Sequence, residues 1–131
     1  MNIVILIGTI VDEPSVKEFE GGAKGTFLTL RVAKPFKSME GNYEADFIRC
    51  VLWEGIAKNT CEYCMKGDTI GIRGRISPRY EDIVFDCSTN EHKKKIVNNQ
   101  IIVERVTFIS TYKKNSQNIL KEHTEEQTND F

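Results

Sequence analysis

One short stretch carries residues whose types and spacing suit a flat, charged ligand. In Ala45-Asp46-Phe47-Ile48-Arg49-Cys50-Val51-Leu52-Trp53 apolar and other side chains alternate, as in a half-buried strand whose successive residues point to opposite faces. Ile48, Cys50 and Leu52 share one face and suit a core. The other face carries Phe47, Arg49, Val51 and Trp53. A solvated strand face normally shows Thr, Lys, Glu or Ser, not two large rings with a guanidinium between them. An aromatic ring stacks on any nucleobase, and a guanidinium meets a phosphate or a π-face. Phe47 and Trp53 lie roughly 20 Å apart along a strand rising about 3.3 Å per residue. This is the pattern of a stacking platform for single-stranded nucleic acid. A second layer burying the rings, or a subunit contact sealed by one of them, would use the same residue types.

Cys61-x-x-Cys64 raises metal or redox chemistry. Zinc normally takes four ligands. Here Cys50 belongs to the expected core and Cys87 to a remote hairpin. A redox pair would put its first cysteine at a helix N-terminus, where the thiol pKa falls. These two lie in the second half of a predicted helix. Cys50 and Cys64 read as small core residues, and neither a metal nor a cofactor is expected. Asp46, Glu54 and the pair Glu81-Asp82 adjoin turns or strand ends, His92 lies in a loop and His123 in the tail. No nucleophile motif or glycine-rich phosphate loop accompanies them, so an enzyme is not expected.

The 131 residues, 40% apolar and 28% charged, suit one soluble domain with a tail. No apolar run reaches about 18 residues, which argues against a membrane span. Met1-Asn2-Ile3-Val4-Ile5-Leu6-Ile7-Gly8 lacks a basic leader and a small-residue cleavage site, so it reads as a strand in a cytoplasmic protein. Four cysteines in such a chain point to reduced thiols. The net charge is −1, but the end is acidic, with Lys121 against Glu122, Glu125, Glu126 and Asp130. The body is therefore mildly basic, which fits a polyanion binder with a separate tail.

These residues need elements to position them. Ile3 to Thr9 forms a first strand, so continuously apolar that both faces are expected to be covered. Val16 to Glu20 allows a short strand before the turn at 21–25. Thr26 to Ala33 alternates, with Leu28, Leu30 and Val32 on one face and Phe27, Thr29, Arg31 and Ala33 on the other. Pro35 is expected to end it in a loop over 34–42, where Phe36 stands between Lys34 and Lys37. Helical spacing predicts a helix over Glu54 to Lys66, capped by Gly67. Thr69 to Ile76 follows, with Ile70, Ile72 and Ile76 opposite Arg73 and Arg75. Ser77 to Asp82 leads into a hairpin with Lys93-Lys94-Lys95 at its tip. The return strand runs from Asn99 to Ser110, with Ile102, Val106 and Phe108 as core candidates. From Thr111 the chain turns polar, and a mostly disordered tail is expected. Five strands with a helix between the third and fourth describe an all-β barrel of the oligonucleotide-binding (OB) kind. The expected division is a domain over 1–111 and a flexible acidic tail over 112–131.

Over about residues 1–110 the chain resembles the bacterial single-stranded DNA-binding protein (SSB) family. The resemblance rests on Met1 to Gly8 with Pro14, on Ala45 to Trp53, on Glu62-Tyr63-Cys64-Met65-Lys66-Gly67-Asp68, on Gly74-Arg75-Ile76 with Arg79-Tyr80-Glu81, and on Val103 to Ile109. It implies an OB-fold homotetramer that coats single-stranded DNA without sequence preference in replication, recombination and repair. The family's stacking positions map to Phe36, Phe47, Trp53 and Tyr80. Arg31, Arg49, Arg73, Arg75 and Arg79, with Lys34 and Lys37, are the candidate phosphate contacts. The family's acidic tail, ending in Pro and Phe, docks replication and repair proteins. Here only Asp130-Phe131 matches, the acidic run is thin and the Pro is missing. An OB-fold primosomal adaptor that binds proteins through the same rings is the alternative.

Overall fold

The computed structural model describes residues 1–86 and 91–111; the side chains of 82–86 and 91–94 are outside the description. Its elements are β1 (Val4–Ile10), β2 (Lys17–Glu18), β3 (Lys24–Lys37), β4 (Tyr43–Trp53), α1 (Glu54–Tyr63), β5 (Thr69–Asp86) and β6 (Glu91–Ser110). The sheet runs β1-β5-β6-β4-β3-β2, and β1 pairs with β3 as well. That extra pairing closes five long strands into the expected OB barrel, with α1 between the third and fourth of them.

Closure depends on β1 changing partner. It pairs with β5 from Val4 to Thr9 and with β3 at Thr9 and Ile10. Gly8 permits the crossing, because a Cβ there would lie 2.7 Å from the Arg31 carbonyl oxygen. The start of β1 is also tied to β5. The Asn2 side-chain amide donates to the Ile76 carbonyl at 2.7 Å, and the Ile76 N–H donates back to Asn2 Oδ1 at 2.9 Å. The other end is fastened by the Ile10 N–H donating to the Asp68 carbonyl at 2.8 Å.

The inward residues form one core. Ile10, Leu28, Leu30, Cys50, Leu52, Ile70, Ile72 and Val103 are buried together, with Ala57 of α1 and Cys64 closing one end. Each aliphatic side chain of that size contributes about 1.5–3 kcal/mol on burial. Alternation along the sequence identifies most of this set.

Several expectations are corrected. The outer face of the first strand is not covered: Ile5 and Ile7 are 71% and 60% exposed, because the barrel of a single chain covers only the inner side of β1. Pro35 does not end its strand. β3 continues to Lys37 through a register shift between Ala33 and Lys37, which accommodates the missing N–H. The helix ends at Tyr63 with Cys64 as its C-cap. Gly67, at φ +94°, instead makes the turn whose N–H donates to the Ile10 carbonyl. Residues 77–82 lie in β5, and Lys93, Lys94 and Lys95 lie within β6 opposite Ile83, Asp82 and Glu81. Ile102 is not a core residue. Arg73 pairs with Arg105 but Gly74 with Val103, so Glu104 is the extra residue of a bulge. The bulge swaps the inward phase from Val106 and Phe108 to Val103 and Ile101.

Cys50 has no exposed surface, and burial pushes its thiol from an ordinary 9.0 up to about 11. The folded state therefore favours the protonated thiol. The sign of the linkage follows: this contribution to stability is complete below pH 9 and is lost as pH rises from about 9 towards about 11. We expect Cys50 to resist a thiol-labelling reagent at pH 8 in the native protein and to react on unfolding in denaturant. Rapid native labelling of Cys50, mapped by mass spectrometry, would contradict this placement.

Candidate nucleic-acid interface

β3 and β4 lie antiparallel, and their register decides which outward side chains meet. Arg31 faces Phe47, Thr29 faces Arg49, Phe27 faces Val51 and Gly25 faces Trp53. Residues at alternate positions share a face, so Phe27, Arg31, Phe47, Arg49 and Trp53 occupy one outer surface. Phe47 is 65% exposed and Phe36, on the extended end of β3, is 70% exposed. Arg31 and Arg49 are exposed as well. The outward placing of Phe47 and Arg49 read from alternation is therefore present on the barrel, whereas Val51 of the same face is buried.

Its two ends differ. At the α1 end, Trp53 is half-buried rather than open. Its indole lies against Gly25, where a Cβ would come within 2.6 Å of Trp53 Cε3. Phe19, just beyond β2, meets Trp53 edge-on at 5.3 Å between ring centres and Phe27 at 5.8 Å. Arg49 does not stand free between the rings: its guanidinium carbon lies 3.8 Å from the centre of the Phe27 ring. At the hairpin end, Lys37 Nζ sits 5.0 Å from the centre of the Tyr43 ring. Lys34 Nζ is 3.5 Å from Glu44 Oε2 and 3.7 Å from Asp46 Oδ1.

β5 contributes less uniformly. Arg75 pairs in register with Ile102, which pairs in turn with Val51, so it shares a row with the platform. Its Nε is 3.7 Å from Glu104 Oε1. Arg73 lies elsewhere, lining a groove with Ile5, Ile7, Arg105 and Ile109. Arg79 and Tyr80 are exposed on the far part of β5, where Tyr80 pairs with Ile96. The structure thus brings Arg31, Phe47, Arg49 and Trp53 together, extends them through Phe36, and leaves Arg73 further round the outside of the barrel, beside Ile5 and Ile7. Asp130, Phe131 and Cys87 lie outside the described residues. Among the described residues no cluster of three or more His, Cys, Asp or Glu side chains is arranged for a metal, and no helix is long and apolar enough to cross a membrane.

Sequence reasoning missed two rings. Phe27 shares the outward phase with Arg31, a signal that was available once the strand was assigned. Phe19 sits in a polar run, Lys17-Glu18-Phe19-Glu20, and only the fold reveals that it buttresses Phe27 and Trp53.

The sequence pattern of the single-strand binding protein family matches residues 1–109. Single-stranded DNA-binding protein B of Bacillus subtilis (strain 168) is 34% identical over 109 residues, which is 82% of this chain and 89% of that protein. Single-stranded DNA-binding protein 3 of Listeria innocua is 32% identical over 130 residues, or 98% and 76% of the two chains. Among solved structures, a Plasmodium falciparum SSB in complex with ssDNA superposes with a TM-score of 0.61 at 20% identity, over 84% of this chain and 96% of that one. At that identity the likeness is one of fold.

Trp53 is the one tryptophan, so its fluorescence reports this site alone. Gly25→Ala should push the indole off the β3 backbone and red-shift its emission, with a stability loss of about 1–3 kcal/mol from overpacking. An unchanged spectrum in a folded variant would contradict the indole's seat on Gly25.

Proposed function

The chain belongs to the single-strand binding protein family, and from that premise we propose that it binds single-stranded DNA without sequence preference. The observation that carries the reading is Phe47, a large ring left mostly in solvent on a strand face, with Arg31 as its cross-strand partner on β3. Bases stack on Phe36, Phe47, Trp53 and Tyr80. Arg31, Arg75 and Arg79, with Lys34 and Lys37, attract the backbone, and Arg73 does so where the strand passes around the barrel. Stacking is indifferent to base identity because every base has a π-face. Phosphate attraction is equally indifferent, and it weakens with salt.

The same reading extends to the cellular role. The protein coats and protects single strands in replication, recombination and repair, in the cytoplasm at the nucleoid. It works as a homotetramer, which the exposed apolar face of Ile5, Ile7 and Ile109 supports, since such a patch is stabilised by a subunit contact. Asp130-Phe131 recruits partner proteins.

Titration with oligo(dT) should quench Trp53 fluorescence, and more weakly as salt rises; weak quenching at any salt would favour a protein-binding adaptor. Phe47→Ala should weaken binding to mixed-sequence and homopolymer strands alike by about 1–3 kcal/mol, with unchanged thermal unfolding. A loss confined to one sequence would contradict indifferent stacking. Deleting Asp130-Phe131 should leave DNA affinity intact and abolish capture of replication or repair proteins. A tenfold fall in DNA affinity would show that the tail is not a separate module.

A further inference from the structure

We infer that Arg49 serves single-stranded DNA as a stacking surface rather than as a phosphate contact, and that Phe27 beneath it is a further binding residue. The inference rests on the single-strand reading above and assigns the chemistry of one position within it.

Three observations carry it. First, the guanidinium carbon of Arg49 lies 3.8 Å from the Phe27 ring centre, within stacking distance. A planar guanidinium held over a ring presents its opposite face to solvent, and bases stack on guanidinium planes as they do on aromatic rings. Second, the ring beneath is fixed. Phe19 meets Phe27 edge-on at 5.8 Å and holds Trp53 at 5.3 Å, so Phe27 and Trp53 share one buttress. Third, the charges around Arg49 do not favour a phosphate. Phe27 and Arg49 form the ridge between two grooves. One is lined by Asp12, Glu13 and Lys17, the other by Val51 and the amides of Asn98 to Gln100. On the first side two carboxylates offset Lys17 and Arg49 itself, so the groove offers a backbone phosphate no net attraction. No carboxylate pairs with Arg49 among the described residues, so none covers the plane it would offer a base. A base laid on the guanidinium carries no charge and needs no such attraction, and the amides on the other side offer donors and acceptors to its edge.

The test compares Arg49→Lys, Arg49→Gln and Phe27→Leu with the full-length wild-type chain, each titrated with oligo(dT) over a range of salt. Lysine keeps the charge but loses the plane. Arg49→Lys should therefore lose about as much affinity as Arg49→Gln, roughly five- to tenfold or more, and neither should change the slope of log affinity against log salt. Phe27→Leu should lose a similar factor, and Phe27→Leu combined with Arg49→Lys should lose little more than either alone. Lysine rescuing affinity, together with a slope smaller by about 0.7 in Arg49→Gln, would make Arg49 a phosphate contact and overturn the inference. Should Phe27→Leu fail to fold, the two Arg49 variants, altered only at an exposed side chain, still decide it. Wild-type protein that does not bind oligo(dT) at all would overturn the single-strand reading itself, an outcome distinct from either result at Arg49.

Discussion

The structure depends on the antiparallel register of β3 against β4. That register puts Leu28, Leu30, Cys50 and Leu52 into one interior and leaves Phe27, Arg31, Phe47 and Arg49 outside. A slip of one residue would exchange the two sets, burying guanidinium groups and exposing the core. Burying an unpaired charge costs far more than the fold's net stability allows. The apolar interior therefore enforces the outward display of rings and cations, and the proposed binding surface is a consequence of the core. Gly25 and Gly8 serve this arrangement where strands or an indole come too close for a side chain.

Charge on the outer surface is distributed unevenly, which the net value of −1 conceals. Lys34 already sits beside Glu44 and Asp46, and Arg75 beside Glu104. Exposed ion pairs of this kind are worth about 0–1 kcal/mol, so a phosphate can displace the carboxylate at small cost. Arg31 makes no ion pair among the described residues and stands across from Phe47. The position most ready to meet a polyanion thus adjoins Phe47, a ring left mostly in solvent on β4. Rings supply contacts that salt does not screen, and cations supply attraction that it does.

Much of this was legible in the sequence. The period of two in β4 identified its core face and the outward placing of Phe47 and Arg49, because strand geometry makes that period obligatory. Ile70 and Ile72 followed from the same rule. What escaped was long-range. The bulge at Glu104 changes the inward phase within β6, and no local signal in the run Ile101-Ile102-Val103 says which members face in. Phe19 gains its role only when the chain from β2 folds back over β3. The continuation of β3 past Pro35 needed a register shift that propensity does not announce. The bare face of Ile5 and Ile7 looked like a strand covered on both sides because hydrophobicity cannot distinguish a cover within the chain from one supplied by another molecule.

The central claim is that nucleic acid lies on the β3–β4 face, over rings that the core holds outward. Photo-crosslinking of the full chain to oligo(dT) carrying 5-iododeoxyuridine, with the attached residues mapped by mass spectrometry, tests it most directly. Crosslinks at Phe47, Phe36 and the Trp53 cluster are the expected result. Crosslinks confined to the Ile5, Ile7 and Arg105 face of β1, β5 and β6 would contradict the account.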